Sequence, residues 1–299
     1  MNVSCEDGTG WWMEDIPLHE QVLPLFAQLA SFLVGLPIHS HVVLNLANRQ
    51  KLLGIRKYQM AIIGASIIDI LLSMDHLIFE MNRTRRLFFT HYVRRIIVFF
   101  WQALSFLAYL SAILTTIYWK TATVHHRPID TVLSVFLTMF TTVLIAYCFV
   151  NEVLVEMMPW KRTVGLLMTE CCQLGSLVLF CGVFAYYYLK MKKVDTRLCT
   201  SHTRRSHAKI SNVLLIETVY HAFVLIPNFV RYLVHYVLTG CYTPERLDHA
   251  AWWLAFQIYW TFSGLAPLVR GCLTAYAFNN LLSHEVTKQG ALFHKESVI

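Results

Sequence analysis

Apolar residues gather into long windows near 22–47, 58–79, 96–118, 129–151, 163–189, 210–238 and 251–278, separated by short polar segments. A bilayer core takes roughly 20 apolar residues per helix, so each window predicts one membrane-spanning helix. Short connections predict antiparallel neighbours in one bundle. That many apolar stretches exceed what a soluble globule of this length can bury. The expected fold is therefore all-α: a seven-transmembrane helix bundle over 22–278, with an extracellular N-terminus at 1–21 and a cytosolic tail at 279–299, in the plasma membrane.

Composition narrows the function classes. Of 299 residues, 56% are hydrophobic and 14% charged, against about 25% charged in soluble domains, and the mean hydropathy is +0.49. Disorder and a basic nucleic-acid module are excluded by that balance, and it argues against a soluble enzyme. No H-E-x-x-H, G-x-S-x-G or glycine-rich phosphate loop occurs, so no enzyme and no cofactor are expected. The cysteines lack metal-ligand spacing. Cys148, Cys171, Cys172, Cys181 and Cys272 lie in apolar stretches and read as small buried hydrophobes.

Charge placement sets the orientation. The N-terminal segment carries Glu6, Asp7, Glu14, Asp15 and Glu20 without Lys or Arg, and the first helix reads as an uncleaved signal-anchor. With the N-terminus outside, the inner segments plus Arg270 hold 16 of the 25 Lys and Arg residues. The 190–209 connection is the most basic. The 80–95 connection, with Arg83, Arg85, Arg86, Arg94 and Arg95, runs against the rule. Sequons at Asn2 and Asn82 both fall on the outside, where glycosylation acts.

Polar groups inside the windows are expensive and mark candidate sites. Asp69 lies mid-way along the second helix, with Ser66 and Ser73 on the same face. It reads either as a buried ion or proton site or as a hydrogen-bonded anchor between helices. Glu217 and His221, four apart on the sixth helix, read as a locally satisfied pair or as a proton relay. Trp101, Ser105 and Tyr109 on the third helix, Glu170 on the fifth, and Gln257 and Trp260 on the seventh form a candidate small-molecule pocket between outer helix halves. An aromatic belt or core packing is the alternative. Pro37, Pro227 and Pro267 fall inside helices and permit kinks.

Together these features resemble the rhodopsin-like class of G-protein-coupled receptors over about 22–283. Ile63-Gly64-Ala65-Ser66-Ile67-Ile68-Asp69-Ile70-Leu71-Leu72 resembles the second-helix pattern with its central aspartate. Pro227, in Phe223-Val224-Leu225-Ile226-Pro227, stands where the family has its sixth-helix proline. Pro267, in Leu265-Ala266-Pro267-Leu268-Val269-Arg270, stands in place of the Asn-Pro-x-x-Tyr proline. Tyr118-Trp119-Lys120 aligns with Asp-Arg-Tyr. Ser206-His207-Ala208-Lys209 leading into Ile210, and Ala266-Pro267-Leu268-Val269-Arg270-Gly271, resemble the fish-type odorant receptors.

The resemblance implies a receptor for an unknown small-molecule ligand, with a heterotrimeric G protein as possible partner. Asp69, Pro227 and Pro267 would act as switch or structural elements, and Trp119, Lys120, Arg204 and Arg205 would face the transducer. The departures imply weak or atypical coupling. Trp119 replaces the Asp-Arg-Tyr arginine, and both the Asn and the Tyr of Asn-Pro-x-x-Tyr are lost. Val93 and Arg94 stand where the third helix normally begins with cysteine. From the topology, Cys5 and Cys241 are the outside cysteines left to pair. The alternatives are a seven-helix transporter or channel using Asp69 and Glu217–His221, and a non-signalling receptor-like scaffold.

Overall fold

The computed structural model describes residues 18–48, 56–85, 91–123, 128–150, 162–192, 201–232, 254 and 257–277. Among the described residues there is helix and no strand. The elements are α1 (Leu18–Ala30), a π-helical turn (Ser31–Gly35), α2 (Leu36–Asn48), α3 (Arg56–Arg85), α4 (His91–Thr123), α5 (Pro128–Phe149), α6 (Arg162–Lys192) and α7 (Ser201–Tyr232). A last helix, α8, covers 257–277.

Among the described residues, four stretches are long and apolar enough to cross a membrane: Val22–Ala47, Tyr58–Met81, Arg95–Tyr118 and Thr131–Phe149. A shorter apolar run, Leu174–Lys190, lies in α6. The exteriors of these rods are greasy. Val132, Val135, Phe136, Met139 and Val143 are all exposed on α5. On α3, Met60, Ile67, Leu71, Met74, Ile78 and Met81 face outward, while Ser66, Asp69, Ser73, His76 and Glu80 are buried. Both sets recur at helical spacing. A polar stripe inside and an apolar stripe outside is the reverse of a helix bathed in water.

Helices outrun the apolar windows. α3 extends to Arg85, and α7 begins at Ser201 rather than near 210. Hydropathy reports bilayer thickness, whereas a helix continues until a breaker, and residues 201–209 contain neither Gly nor Pro. Part of the basic 190–209 segment is thus helical, with Lys190 and Lys192 ending α6 and Arg204, Arg205 and Lys209 opening α7.

The core lies between α2, α3, α4, α5 and α6, where Val42, Leu46, Tyr58, Ile62, Ile113, Leu137, Phe180, Phe184 and Tyr187 pack together. A second cluster joins α3, α4, α7 and α8 through Leu72, Trp101, Ala108, Val224, Tyr259 and Trp260. Of the cysteines expected to be buried, the side chain of Cys171 lies outside the described residues and the other four differ. Cys148 is buried and Cys172 and Cys181 are half-buried, but Cys272 is exposed, since α8 turns that face away from its neighbours.

Prolines shape two of the rods. Pro37 has no N–H to give to the preceding turn, and the π-helical turn that ends at Gly35 accommodates the gap. In α8, the backbone at Pro267 and Leu268 contacts the first rod. Ser31 Oγ accepts the Leu268 N–H at 3.2 Å, and His39 Nε2 donates to the Pro267 carbonyl at 2.8 Å. Small residues make this approach possible. Gln28 lies against Gly264, His39 against Gly271, and Gly35 faces the Leu268 backbone.

Candidate functional site

Asp69 and Arg270 meet inside the bundle. Arg270 donates to Asp69 Oδ1 from Nε at 2.8 Å and from Nη2 at 2.5 Å. Asp69 is 3% exposed and Arg270 5%. On the other side of the carboxylate, His39 Nε2 lies 3.9 Å from Oδ2. Because the same nitrogen donates to the Pro267 carbonyl, its proton points toward that carbonyl and His39 flanks the aspartate. Three rods therefore converge on one carboxylate: α2 through His39, α3 through Asp69 itself and α8 through Arg270. Ser73 adds a local bond, its hydroxyl donating to the Asp69 backbone carbonyl at 2.9 Å.

The ion pair forms part of the wall of a cavity of about 80 Å³. Its remaining polar lining comes from Tyr58, Ser111, Thr115, Thr116, Glu217 and Thr274. These residues sit in the first half of α3, the second halves of α4 and α8, and the middle of α7. Such a pattern arises only when the rods alternate in direction, so the cavity belongs to the end where α3 and α7 begin. Glu217 is 6% exposed, and the Arg270 charge acts on both Asp69 and Glu217.

Toward the opposite end lies a smaller cavity of about 20 Å³, lined by Trp101, Gln102, Ser105, Phe106, Tyr109, Tyr259 and Ser263. Trp101 stacks on Trp260 with ring centres 5.1 Å apart, and Trp260 stacks on Phe79 at 5.4 Å. His76 lies 6.4 Å from the Trp101 ring. The Ser105 hydroxyl is turned onto its own helix, donating to the Trp101 carbonyl at 2.8 Å. Tyr220 donates from its hydroxyl to the Phe262 carbonyl and ties α7 to α8 at this level.

Of the residues singled out for a pocket, Trp101, Ser105 and Tyr109 share this small cavity, and Trp260 packs directly behind it. Gln257 opens α8, half-buried and outside the cavity wall. Glu170 falls within α6, and its side chain lies outside the described residues, as do those of His221, Trp119, Lys120, Arg204, Arg205 and Asn82. Asn2, Cys5 and Cys241 also lie outside the described residues. Pro227 is inside α7.

Sequence reading missed four participants. Arg270 counted as an inner-side charge; it is instead buried against Asp69, which leaves 15 Lys and Arg residues in the inner segments. The signal was available, since one cation in the last apolar window and one carboxylate in the second are natural partners. His76 and Glu80 continue the Ser66–Asp69–Ser73 stripe at helical spacing and are fully buried. His39 gave no such signal, because its role depends on the close approach of α8. Among the described residues no group of His, Cys, Asp and Glu is arranged to hold a metal. The chain matches no protein-family model and no curated protein.

Proposed function

We propose that this chain is a seven-pass plasma-membrane receptor, N-terminus outside and C-terminus cytosolic, of the rhodopsin-like, odorant- or chemosensory-like kind. In this reading a small ligand enters among the aromatic residues around Trp101 and Trp260. The basic end meets a heterotrimeric G protein, with weak or atypical coupling because Trp119 replaces the arginine of the family pattern. The observation that carries the reading is the Asp69–Arg270 pair, which joins α3 to α8 in the wall of the inner cavity. A buried ion pair tolerates few geometries. Rotation of α8 that enlarges the outer cavity must strain or release it, and so couples one end of the bundle to the other.

The test is expression in cells with G-protein dissociation read over a panel of small ligands, and ion flux read in parallel. Ligand-dependent dissociation that Trp260→Ala abolishes in a surface-expressed protein supports the receptor. Orientation is checked by an epitope tag at residue 200, expected only after permeabilisation, and by a glycosylation shift lost in Asn82→Gln. A second reading, a transporter or channel, is favoured by the charged wall of the inner cavity. Flux without any G-protein response would select it.

A further inference from the structure

The inner segments 48–57, 119–128, 190–209 and 279–299 hold 15 Lys and Arg residues against three acidic ones, Asp195, Glu285 and Glu296. No pairing among these segments can neutralise that excess. Two of the cations are described with their surroundings. Lys190 is the last residue of the apolar run Leu174–Lys190 on α6. Its Nζ lies 4.4 Å from the centre of the Tyr186 ring and donates to the Tyr186 hydroxyl. Lys209, on α7, stands just before the apolar window that opens at 210. Its Nζ lies 5.5 Å from the centre of the Tyr276 ring on α8.

These two lysines share one level. Cys181 Sγ lies 3.8 Å from the Thr218 carbonyl, where α6 and α7 pass each other. Lys190 follows Cys181 by nine residues and Lys209 precedes Thr218 by nine. On antiparallel helices both are thus about 13–14 Å further toward the same end. Both also stand on outward faces. Tyr186 is 40% exposed, Val178 and Leu189 on the same side of α6 are 54% exposed, and Tyr276 is 47% exposed. An ammonium held over a tyrosine at the end of an apolar, outward stripe is a side chain placed at the headgroup layer. We infer that this end of α6, α7 and α8 binds anionic phospholipid, with headgroup phosphates at Lys190 and Lys209 and acyl chains along the Val178–Tyr186–Leu189 face. Ammonium–phosphate hydrogen bonds are charge-assisted, and each basic residue near the surface adds about fivefold in affinity for anionic lipid. An acidic protein could reach the connections but not the Val178–Leu189 face, which lies at hydrocarbon depth. The inference rests on the membrane topology of the receptor reading and not on signalling.

The experiment uses the full chain in phosphatidylcholine nanodiscs with a rising fraction of phosphatidylserine. The thermal midpoint is expected to rise saturably with that fraction. Lys190→Gln and Lys209→Gln should each raise the half-effective fraction about fivefold, whereas Lys190→Arg, which keeps the charge, should leave it near the parent value. Arg83→Gln with Arg86→Gln removes two charges from the 80–95 connection and should change nothing. Soluble glycerophosphoserine, which has the headgroup without the chains, should not raise the midpoint. If a glutamine variant does not fold, salt decides: the effect in the parent should weaken between about 0.05 and 0.5 M. No rise with phosphatidylserine, an unchanged half-effective fraction in both glutamine variants, an equal loss in the Arg83 and Arg86 variant, a matching rise with glycerophosphoserine, or a rise indifferent to salt would overturn the inference. The epitope tag at residue 200 tests the topology separately. A missing G-protein response leaves the inference intact, and a missing lipid response leaves the receptor reading intact.

Discussion

Arg270 reaches across 201 residues of sequence to place two donors on a single oxygen of Asp69, and neither residue is more than 5% exposed. The pair is a polar link between α3 and α8. Its partner oxygen, Oδ2, faces His39, which is itself held by the Pro267 carbonyl.

Removing one member of this pair should cost far more than removing both. Asp69→Asn strips Arg270 of its hydrogen-bonded counter-ion in a low-dielectric site, at roughly 3–5 kcal/mol. Arg270→Met does the same to Asp69. The double variant Asp69→Asn with Arg270→Met should recover most of the loss. Thermal midpoints in nanodiscs check this, and additive losses would mean that the two groups do not act as a pair. Sequence alone, which showed Asp69 without its partner, gave Asp69→Asn as a mild change if the residue is only an anchor.

The glycine contacts between the first rod and α8 predict a graded series. A Cβ on Gly271 would sit 2.8 Å from His39 Nε2, and one on Gly264 would sit 2.9 Å from Gln28 Nε2. Both Gly→Ala changes must displace a buried polar side chain and should destabilise by about 1–3 kcal/mol. At Gly35 the nearest atom would be 3.6 Å away, and at Gly64, Gly175 and Gly182 nothing lies within 4 Å. Alanine at those four positions should leave the thermal midpoint unchanged or slightly raised, as helix propensity favours it. Equal losses at Gly64 and Gly271 would contradict the packing of α2 on α8.

Trp260 is 2% exposed and stacked between Trp101 and Phe79. Trp260→Ala should destabilise by about 3–5 kcal/mol, whereas Trp260→Phe keeps a ring in the stack and should lose less than half of that. Thermal unfolding of the purified variants separates the two. If the alanine variant melted like the parent, the stack would not be a structural core.

Met139 projects outward from α5 at 66% exposure. In a bilayer that surface meets lipid, so Met139→Lys should hinder insertion by roughly 2.5–3.5 kcal/mol on a translocon scale. Met139→Leu should be silent. An insertion assay with flanking glycosylation tags reads the difference. Normal insertion of the lysine variant would indicate that this face of α5 meets water.

The sequence by itself determined the helices and their greasy faces. An apolar run of that length has few solutions in a bilayer, because every backbone N–H and C=O must be satisfied within the segment. It also determined that Asp69 needed a reason, since a carboxylate amid Ile67, Ile68, Ile70 and Leu71 is costly wherever the helix goes. What it could not supply was the partner. Which side chain meets Asp69 depends on how α3 and α8 are rotated and how closely they approach, and hydrophobic periodicity fixes neither when the surrounding medium is as apolar as the core. The same reason hid His39, whose neighbours are the Pro267 carbonyl and Gly271. It also hid the inner cavity, whose polar wall is assembled from α3, α4, α7 and α8. Only the tertiary packing brings two carboxylates, one guanidinium and several hydroxyls around one space.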